Sequence, residues 1–152
     1  MTRIHITAIL KACIPACLSI MAWSICQACP LDNKTTNLTI NGRVLTVEVA
    51  ATPASRRCGL AFRQDLLPDH GMLFVFDQDR SVRFWMKNTR IPLTIAYLNA
   101  DGKILRLEDM DPGDPERLYP SGQPVRYALE TNLGWFAANA IHIGDRAEFT
   151  LP

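Results

Sequence analysis

The sequence predicts a mainly β (α+β) domain, either a sandwich or a partly closed barrel, of about seven short strands with two short helices. Apolar residues recur with the two-residue period of strands, turn-forming residues separate these stretches, and only two short segments carry helix signals. The composition, 48% hydrophobic and 20% charged over 152 residues, suffices for one compact core.

Residues 1–28 have the pattern of a secretory signal peptide. Arg3 and Lys11 precede the uncharged apolar residues 12–25, and the small residues that suit cleavage follow at 26–28. The apolar run is shorter than the roughly 20 residues that a membrane-spanning helix needs. We therefore expect a periplasmic or secreted protein with no transmembrane span in the mature form; an uncleaved anchor is the alternative.

Removal of this leader would leave two of the five cysteines, Cys29 and Cys58. In an oxidising compartment these two could form a disulfide. Alternatively, Cys29 is free and Cys58 is buried as a small apolar residue. A third possibility is a lipoprotein anchored through Cys29, although the residues before it fit the required box poorly.

The first elements of the mature chain follow from local signals. Residues 29–42 are polar and lack apolar periodicity. After the signal peptide we therefore expect a polar leader segment over these residues, followed by a single mainly β domain over residues 43–152. Residues 44–49 alternate apolar and polar side chains, as a half-buried strand does. Thr52-Pro53 can cap and start a short helix that ends near Gly59.

Two hairpins are expected in the middle of the chain. Residues 71–76 are apolar on both faces, and a polar turn leads from them into residues 82–88, which predicts a buried hairpin. Residues 93–98 and 104–107 flank an Asp-Gly pair, whose positive backbone angles suit a tight hairpin turn.

The remainder of the chain alternates between loop and strand. Residues 109–124 contain four prolines, which predicts a long surface loop. Residues 125–131 resume strand character, residues 132–140 could form a short helix capped by the first of them, and residues 146–151 make a final strand.

A series of short motifs runs through the chain from about residue 44 to residue 149. They are Arg56, Gly59-Leu60, Arg63, Gly71-Met72-Leu73-Phe74-Val75-Phe76, Phe84-Trp85-Met86-Lys87-Asn88-Thr89, Ile91-Pro92-Leu93, Leu129-Glu130, Gly134 and Gly144-Asp145. With these motifs the chain closely resembles the family called domain of unknown function 192, although Ala61 and Thr94 replace the family's usual methionine and aspartate. The resemblance implies a single mainly β domain, often exported in bacteria, with no established reaction, substrate or cofactor.

A candidate ligand site lies in residues 83–89. If this segment is extended, Arg83, Trp85, Lys87 and Thr89 share one face. The tryptophan could stack on a sugar or nucleobase while the two cations meet an anionic group. The alternative is that Trp85 packs in the core with the aliphatic stem of Lys87 along it.

Further charged residues could belong to the same site. Arg63 and Glu130 complete the set of candidate binding residues, although Arg56 and Arg63 could simply pair with Glu48 or Glu130. Glu130 or Asp145 could act as a general acid or base if aromatic surroundings raised its pKa. Structural ion pairing is the alternative for both acids.

Several classes of function find no support in the sequence. His70 and His142 have no zinc-binding spacing, the four carboxylates of residues 109–116 do not fit a calcium loop, and no glycine-rich phosphate loop occurs. We therefore expect no metal and no cofactor. The formal net charge of +1 also argues against a nucleic-acid partner.

These observations lead to one functional hypothesis and two alternatives. The leading hypothesis is an exported, non-catalytic binding or accessory module of the cell envelope that holds a small anionic or sugar-like ligand. The first alternative is a hydrolase that uses Glu130 or Asp145 near Lys87. The second is a scaffold that docks another envelope protein through the Trp85 segment or the loop of residues 109–124.

Overall fold

The fold is that of a computed structural model, which describes residue 29 and residues 32–152. The predicted signal peptide, residues 1–28, lies outside the described residues. The described part of the chain forms nine strands and two short helices. In chain order these are β1 (Thr35–Ile40), β2 (Arg43–Ala50), α1 (Pro53–Cys58), β3 (His70–Arg80), β4 (Arg83–Phe84), β5 (Leu93–Leu98), β6 (Ile104–Met110), β7 (Tyr119–Pro120), β8 (Val125–Asn132), α2 (Trp135–Ala138) and β9 (Ala147–Phe149).

Seven of these strands form one curled sheet in the order β6-β5-β8-β3-β2-β1-β9, and β4 pairs with β7 separately. Strands β2 and β3 are parallel because α1 carries the chain across between them, and the other neighbours are antiparallel. The two edges of the sheet meet at one end, where Lys103 bridges to Arg146 and the amide of Ile104 donates to the carbonyl of Asp145 at 2.8 Å. The predicted mainly β fold is confirmed, as a partly closed barrel.

Alternate residues of the sheet pack into two apolar clusters, because successive side chains of a strand point to opposite faces. Met72 and Phe74 belong to one cluster, together with Leu60, which follows α1. Leu73 belongs to the other, together with Trp135 of α2. We call these two sides of the sheet the α1 face and the α2 face.

The elements with strong local signals form as predicted. The side chain of Thr52 accepts a hydrogen bond from the amide of Ser55, whose hydroxyl accepts from the amide of Thr52, so α1 begins with a reciprocal capping box. Strands β5 and β6 form the hairpin expected around Gly102, which has a φ of 78°. Neither helix in the described part of the chain is long and apolar enough to cross a membrane.

The structure differs from the prediction for residues 29–42. Thr35–Ile40 form β1 instead of a polar segment ahead of the folded domain, because Leu38 and Ile40 are fully buried on the α2 face. The backbone of β1 is hydrogen-bonded on both sides, to β2 and to β9. Only Leu38 and Ile40 of this strand are apolar, so the alternation is too short to stand out from the polar residues before it.

The predicted hairpin between residues 71–76 and 82–88 is wrong. Strand β3 continues to Arg80 and lies between β2 and β8, so both of its edges are occupied. In the later segment only Arg83–Phe84 is a strand, and it pairs with Tyr119–Pro120. The loop predicted over residues 109–124 therefore contains one short strand.

The second helix is shorter than expected, Trp135–Ala138 instead of residues 132–140. It begins after Gly134, which is left-handed with a φ of 77°. Asn132 does not cap the helix. Its side-chain amide donates instead to the carbonyl oxygen of Leu66 at 3.0 Å. The final strand is likewise reduced to Ala147–Phe149.

Candidate binding cavity

A cavity of about 420 Å³ opens on the α1 face of the sheet. Its walls are α1 with the turn that follows it, the end of β3, and the segment of residues 80–89. Its floor includes Glu130 of β8. Helix α1 and the 80–89 segment flank β3 in sequence, so the chain builds both walls from the connections on either side of one strand.

The wall formed by α1 holds a fixed arginine. The guanidinium of Arg56 donates to the carbonyl oxygen of Val75 at 2.8 Å and lies over the ring of Phe76, 5.6 Å from its centre. These contacts hold the helix against β3. They also direct the positive charge of Arg56 toward a carbonyl oxygen and an aromatic ring of that strand. The neighbouring Arg57 is exposed and lines the cavity.

Residues 80–89 form the opposite wall. The amide of Ser121 donates to the carbonyl of Val82 at 2.9 Å, which secures the start of this segment to the β7 region. Phe84 packs edge-on against Phe74, with ring centres 4.8 Å apart. The amide of Thr89 donates to the carbonyl of Met86 at 2.9 Å, so the segment ends in a turn and not in the extended strand that we expected.

Four predicted binding residues line this cavity despite that difference. They are Arg83, Trp85, Lys87 and Thr89. Trp85 is 54% exposed, so it is not a core residue. The fifth predicted residue, Glu130, belongs to the same cavity.

The mouth of the cavity is positively charged. Arg57, Arg80 and Arg83 are exposed, and none of them forms an ion pair with the described residues. Lys87 has its Nζ 3.7 Å from a carboxylate oxygen of Glu116, and both side chains are largely exposed, so this pair neutralises little charge. The cavity therefore presents a group of cations that lack anionic partners within the described structure.

The floor of the cavity contains a buried acid. Glu130 is 5% exposed, and its carboxyl group has no hydrogen-bond or ion-pair partner among the described residues. Burial raises the pKa of Glu130 to about 8. The group is therefore mostly protonated and uncharged at neutral pH, and it can donate a hydrogen bond.

Glu130 is the central member of a row of three glutamates across the α1 face. In the register of the sheet, Met72 lies between Glu48 and Glu130, and Ile95 lies between Glu130 and Glu108. Residues opposite one another in neighbouring strands share a face. Strands are about 4.8 Å apart, so each outer glutamate lies about 10 Å from Glu130.

Both outer glutamates have arginine partners. Arg63 binds Glu48 through two hydrogen bonds of 2.5 and 2.7 Å, and Arg106 binds Glu108 at 2.6 Å. Burial acts to raise the pKa of Glu48, but hydrogen bonds from Arg63 and Asn33 leave that pKa below its usual value. Arg63, the sixth predicted binding residue, therefore lies outside the cavity lining.

A disulfide joins Cys29 to Cys58, with the Cα atoms 5.4 Å apart. Cys58 is the last residue of α1 and lines the cavity. The bridge therefore fixes the beginning of the described chain to the wall that carries Arg57. It also connects two residues that are 29 positions apart in sequence.

Asp145, the other acid that the sequence offers as a general acid or base, has a structural role. One carboxylate oxygen of Asp145 accepts hydrogen bonds from the side chain of Asn41 and the amide of His142, both at 2.8 Å, and Asp145 does not line the cavity. In the described residues, no group of three or more His, Cys, Asp or Glu side chains could hold a metal ion.

Sequence reasoning missed part of the cavity. The sequence does not indicate that Arg57 and Arg80 line the cavity, nor that Leu60, Phe74 and Phe76, although they belong to the family motifs, form its apolar wall. The signal in the sequence is position: Arg57 lies near the end of the predicted helix before the buried strand of residues 71–76, and Arg80 lies in the polar turn after that strand. Placing both at one cavity requires the parallel crossover from β2 to β3, which no short motif reveals.

Comparison with known proteins agrees with this fold. A crystal structure from Sinorhizobium meliloti 1021, named as a candidate transcription regulator, is 37% identical with a TM-score of 0.74, covering 79% of this chain and 97% of that one. A protein of unknown function from Novosphingobium aromaticivorans DSM 12444 is 30% identical with a TM-score of 0.68, covering 76% and 84%. No curated protein matches significantly. The family model of domain of unknown function 192, described as an uncharacterised ACR, matches residues 36–149, and the chain belongs to this family.

Proposed function

We propose that this protein is an exported, non-catalytic binding domain of the cell envelope that holds a small anionic ligand in the cavity on the α1 face. The observation that carries the proposal is the set of exposed arginines at the cavity mouth without anionic partners among the described residues. Clustered like charges repel one another, and an anionic ligand would relieve that repulsion.

The rest of the lining suits a ligand with an apolar or ring-shaped body. Leu60, Phe74 and Phe84 supply apolar surface inside the cavity, and Trp85 stands at its edge, half exposed. Pockets for small molecules combine such surface with a few polar groups that fix orientation. A flat sugar or aromatic ring could stack on Trp85 while its acidic group reaches the arginines.

Binding is favoured over hydrolysis by the composition of the lining. Glu130 carries the only carboxyl group among the described residues that line the cavity. A glycosidase requires two carboxyl groups, and acyl transfer requires a nucleophile beside a base. The name of the Sinorhizobium protein points to gene regulation, but the net charge of +1 is far from the strongly basic charge that is usual in DNA-binding domains.

Export is supported by two features that do not depend on ligand binding. Residues 1–28 have the composition of a secretory leader. The disulfide between Cys29 and Cys58 is of a kind that persists in oxidising compartments. Intact-mass spectrometry of protein from its native cells tests this part of the proposal. A mass that begins at Cys29 and lacks two hydrogens supports it, a lipid adduct identifies a lipoprotein, and a retained leader contradicts export.

The binding proposal is tested by calorimetric titration with 4-acetylbenzoate and phenyl phosphate. We expect both anions to bind and the uncharged 4-acetylbenzamide to bind at least about tenfold more weakly, with affinity for the anions falling as salt is added. The variant R83Q/K87Q should lose about tenfold or more in affinity for the anions. Its matched control, R43Q/K34Q, removes two exposed cations outside the cavity lining and should bind as the natural protein does.

Two results would overturn the binding proposal. One is the absence of binding by both anions at millimolar concentration. The other is binding that R83Q/K87Q leaves unchanged. If the protein instead co-purifies with an envelope protein through the Trp85 segment, the scaffold alternative gains support.

A further inference from the structure

We infer that the cavity selects organic anions whose buried end carries an uncharged oxygen that accepts hydrogen bonds, held by Glu130 and Thr89, while the acidic end stays at the arginine-lined mouth. This inference rests on the proposed function and adds the chemistry and the direction of the ligand.

The cations and the acid of the cavity occupy different depths. Arg57, Arg83 and Lys87 are exposed, whereas Glu130 is 5% exposed on a central strand. A guanidinium beside the carboxyl would hold its pKa low. The pKa of Glu130 is instead raised, with burial as the cause, so the cations do not serve to neutralise this acid. Their charge is available for the anionic end of a ligand.

The charged and titratable groups around Glu130 are engaged elsewhere or lie at the mouth. On the α1 face and around the cavity they are His70 of β3, Tyr97 of β5, Tyr119 of β7, Glu48 with Arg63, Glu108 with Arg106 and Arg117, Lys87 with Glu116, Arg56 and Arg57 of α1, and Arg80 and Arg83. The hydroxyl of Tyr97 donates to the carbonyl of Tyr119 at 2.6 Å, and the hydroxyl of Tyr119 accepts from the backbone amide of Asp111 at 2.9 Å. Each outer glutamate holds its own arginine, which leaves Glu130 as the unpaired member of the row.

Thr89 provides a second buried polar group in the cavity. It is 9% exposed, and its hydroxyl has no hydrogen-bond partner among the described residues. Among the described residues, no fully buried side-chain oxygen or nitrogen lacks a hydrogen-bond partner. The unpartnered oxygens of Thr89 and Glu130 are therefore accessible from the cavity, and a ligand that replaces the water there can bind them. A protonated carboxyl and a hydroxyl can each donate one hydrogen bond, and a carbonyl oxygen, which has two lone pairs, can accept both. An ammonium group would have to be desolvated and would force Glu130 to ionise where it is buried.

The test compares three benzoates that differ only at the end opposite the acid. They are 4-acetylbenzoate, with a carbonyl oxygen, 4-isopropylbenzoate, of similar shape and apolar, and 4-(aminomethyl)benzoate, with an ammonium group. Calorimetric titration at pH 6.5 should show 4-acetylbenzoate binding about five to ten times more tightly than either of the others. The preference over 4-isopropylbenzoate should decline by pH 9.5, because Glu130 loses its proton as the pH rises through about 8.

Two substitutions of Glu130 distinguish the effect of its hydrogen-bond donor from the effect of the shape of its side chain. Glu130→Gln keeps an uncharged donor at every pH, so it should keep the preference for 4-acetylbenzoate at both pH values. Glu130→Leu removes the donor and should abolish the preference while 4-isopropylbenzoate still binds. Circular dichroism of both variants checks that they fold, and the pH profile of the natural protein tests the inference even if neither does.

The outcomes distinguish this inference from the proposed function. If none of the benzoates binds, the proposed function itself fails. If all three bind equally, or if 4-(aminomethyl)benzoate binds most tightly and gains affinity as the pH rises toward 8, the function stands and this inference is wrong. A decline with pH that is equal for the acetyl and isopropyl compounds would place the titrating group at the mouth, and it would also contradict the inference.

Discussion

Gly71 lies so close to Glu130 that a Cβ atom on Gly71 would be 2.5 Å from the carbonyl oxygen of Glu130. Gly71 is paired with Thr131 in the register between β3 and β8. The two central strands therefore approach each other beside the acid at the cavity floor. A substitution at this glycine would displace the backbone that positions Glu130.

Gly71→Ala should destabilise the fold by about 2 kcal/mol or more, because backbone atoms have to move to admit the methyl group. Denaturant unfolding measures the change. Gly113→Ala is the control, since its nearest neighbour is the flexible side chain of Asp111, and it should shift the free energy of unfolding by less than about 0.5 kcal/mol. Equal effects of the two substitutions would contradict the close approach.

Glu130→Gln should stabilise the protein at alkaline pH. The pKa of Glu130 is about 8 in the folded state and 4.5 when unperturbed. Below pH 4.5 both states hold the proton. As the pH rises from 4.5 to 8, only the folded state keeps it, so the free energy of unfolding falls. The amide of the variant does not ionise. Above pH 8 the free energy of unfolding of the variant should therefore exceed that of the natural protein by about 3 to 5 kcal/mol.

Unfolding measured from pH 4.5 to pH 9 tests this prediction, and the two proteins should converge at the acidic end. Glu148→Gln on β9 removes an exposed carboxyl and is the control for the loss of one acid. A constant difference between Glu130→Gln and the natural protein at every pH would show that packing, and not ionisation, is responsible.

Trp85→Ala should leave the free energy of unfolding within about 0.5 kcal/mol of the natural value, because this side chain is 54% exposed. It should nevertheless weaken binding of 4-acetylbenzoate. Trp135→Ala is the comparison. Trp135 is 8% exposed and its indole nitrogen donates to Asp69 at 2.8 Å, so its loss should cost about 3 kcal/mol or more. Unfolding of Trp85→Ala at room temperature would refute the surface position of Trp85.

Arg63→Met should destabilise the protein by about 1 to 3 kcal/mol at pH 7, since it leaves the half-buried carboxylate of Glu48 without its partner. The pKa of Glu48 is lowered in the fold, so its contribution is present above pH 4.5 and is lost as the pH falls through the folded value. The deficit should therefore shrink in acid. Arg126→Met breaks a more exposed pair with Asp79 and should cost less than about 1 kcal/mol.

Local chemistry explains which elements could be predicted from the sequence. The capping box at Thr52 and the tight turn at Gly102 involve residues within a few positions of each other, and α1 and the β5–β6 hairpin form there. The hairpin predicted after β3 was wrong because the partners of β3 come from distant parts of the chain. Apolar character on both faces indicates a central strand, but it does not say which strands lie beside it.

In the candidate site, too, the sequence predicts what nearby residues determine and does not predict what the order of the strands determines. Alternation placed Arg83, Trp85 and Lys87 together, and they do share the cavity, although the extended strand assumed for them is largely a turn. The neighbourhood of Glu130 depends on strand order, because its paired neighbours Met72 and Ile95 are 58 and 35 positions away. The sequence allows Arg63 to pair with Glu48 as an alternative to binding a ligand, and the structure has this pair, so Arg63 is not available to a ligand.

The floor and the walls of the cavity differ in how freely they can evolve. Glu130 is held in a central strand with neighbours on both sides, and changes to its backbone disturb the whole sheet. The walls over residues 54–61 and 81–89 contribute no strand to the large sheet, so their exposed side chains, such as Arg57, Arg83, Trp85 and Lys87, can be exchanged without altering strand register. The same barrel could therefore serve as a shared scaffold whose relatives diversify what they hold through two short segments.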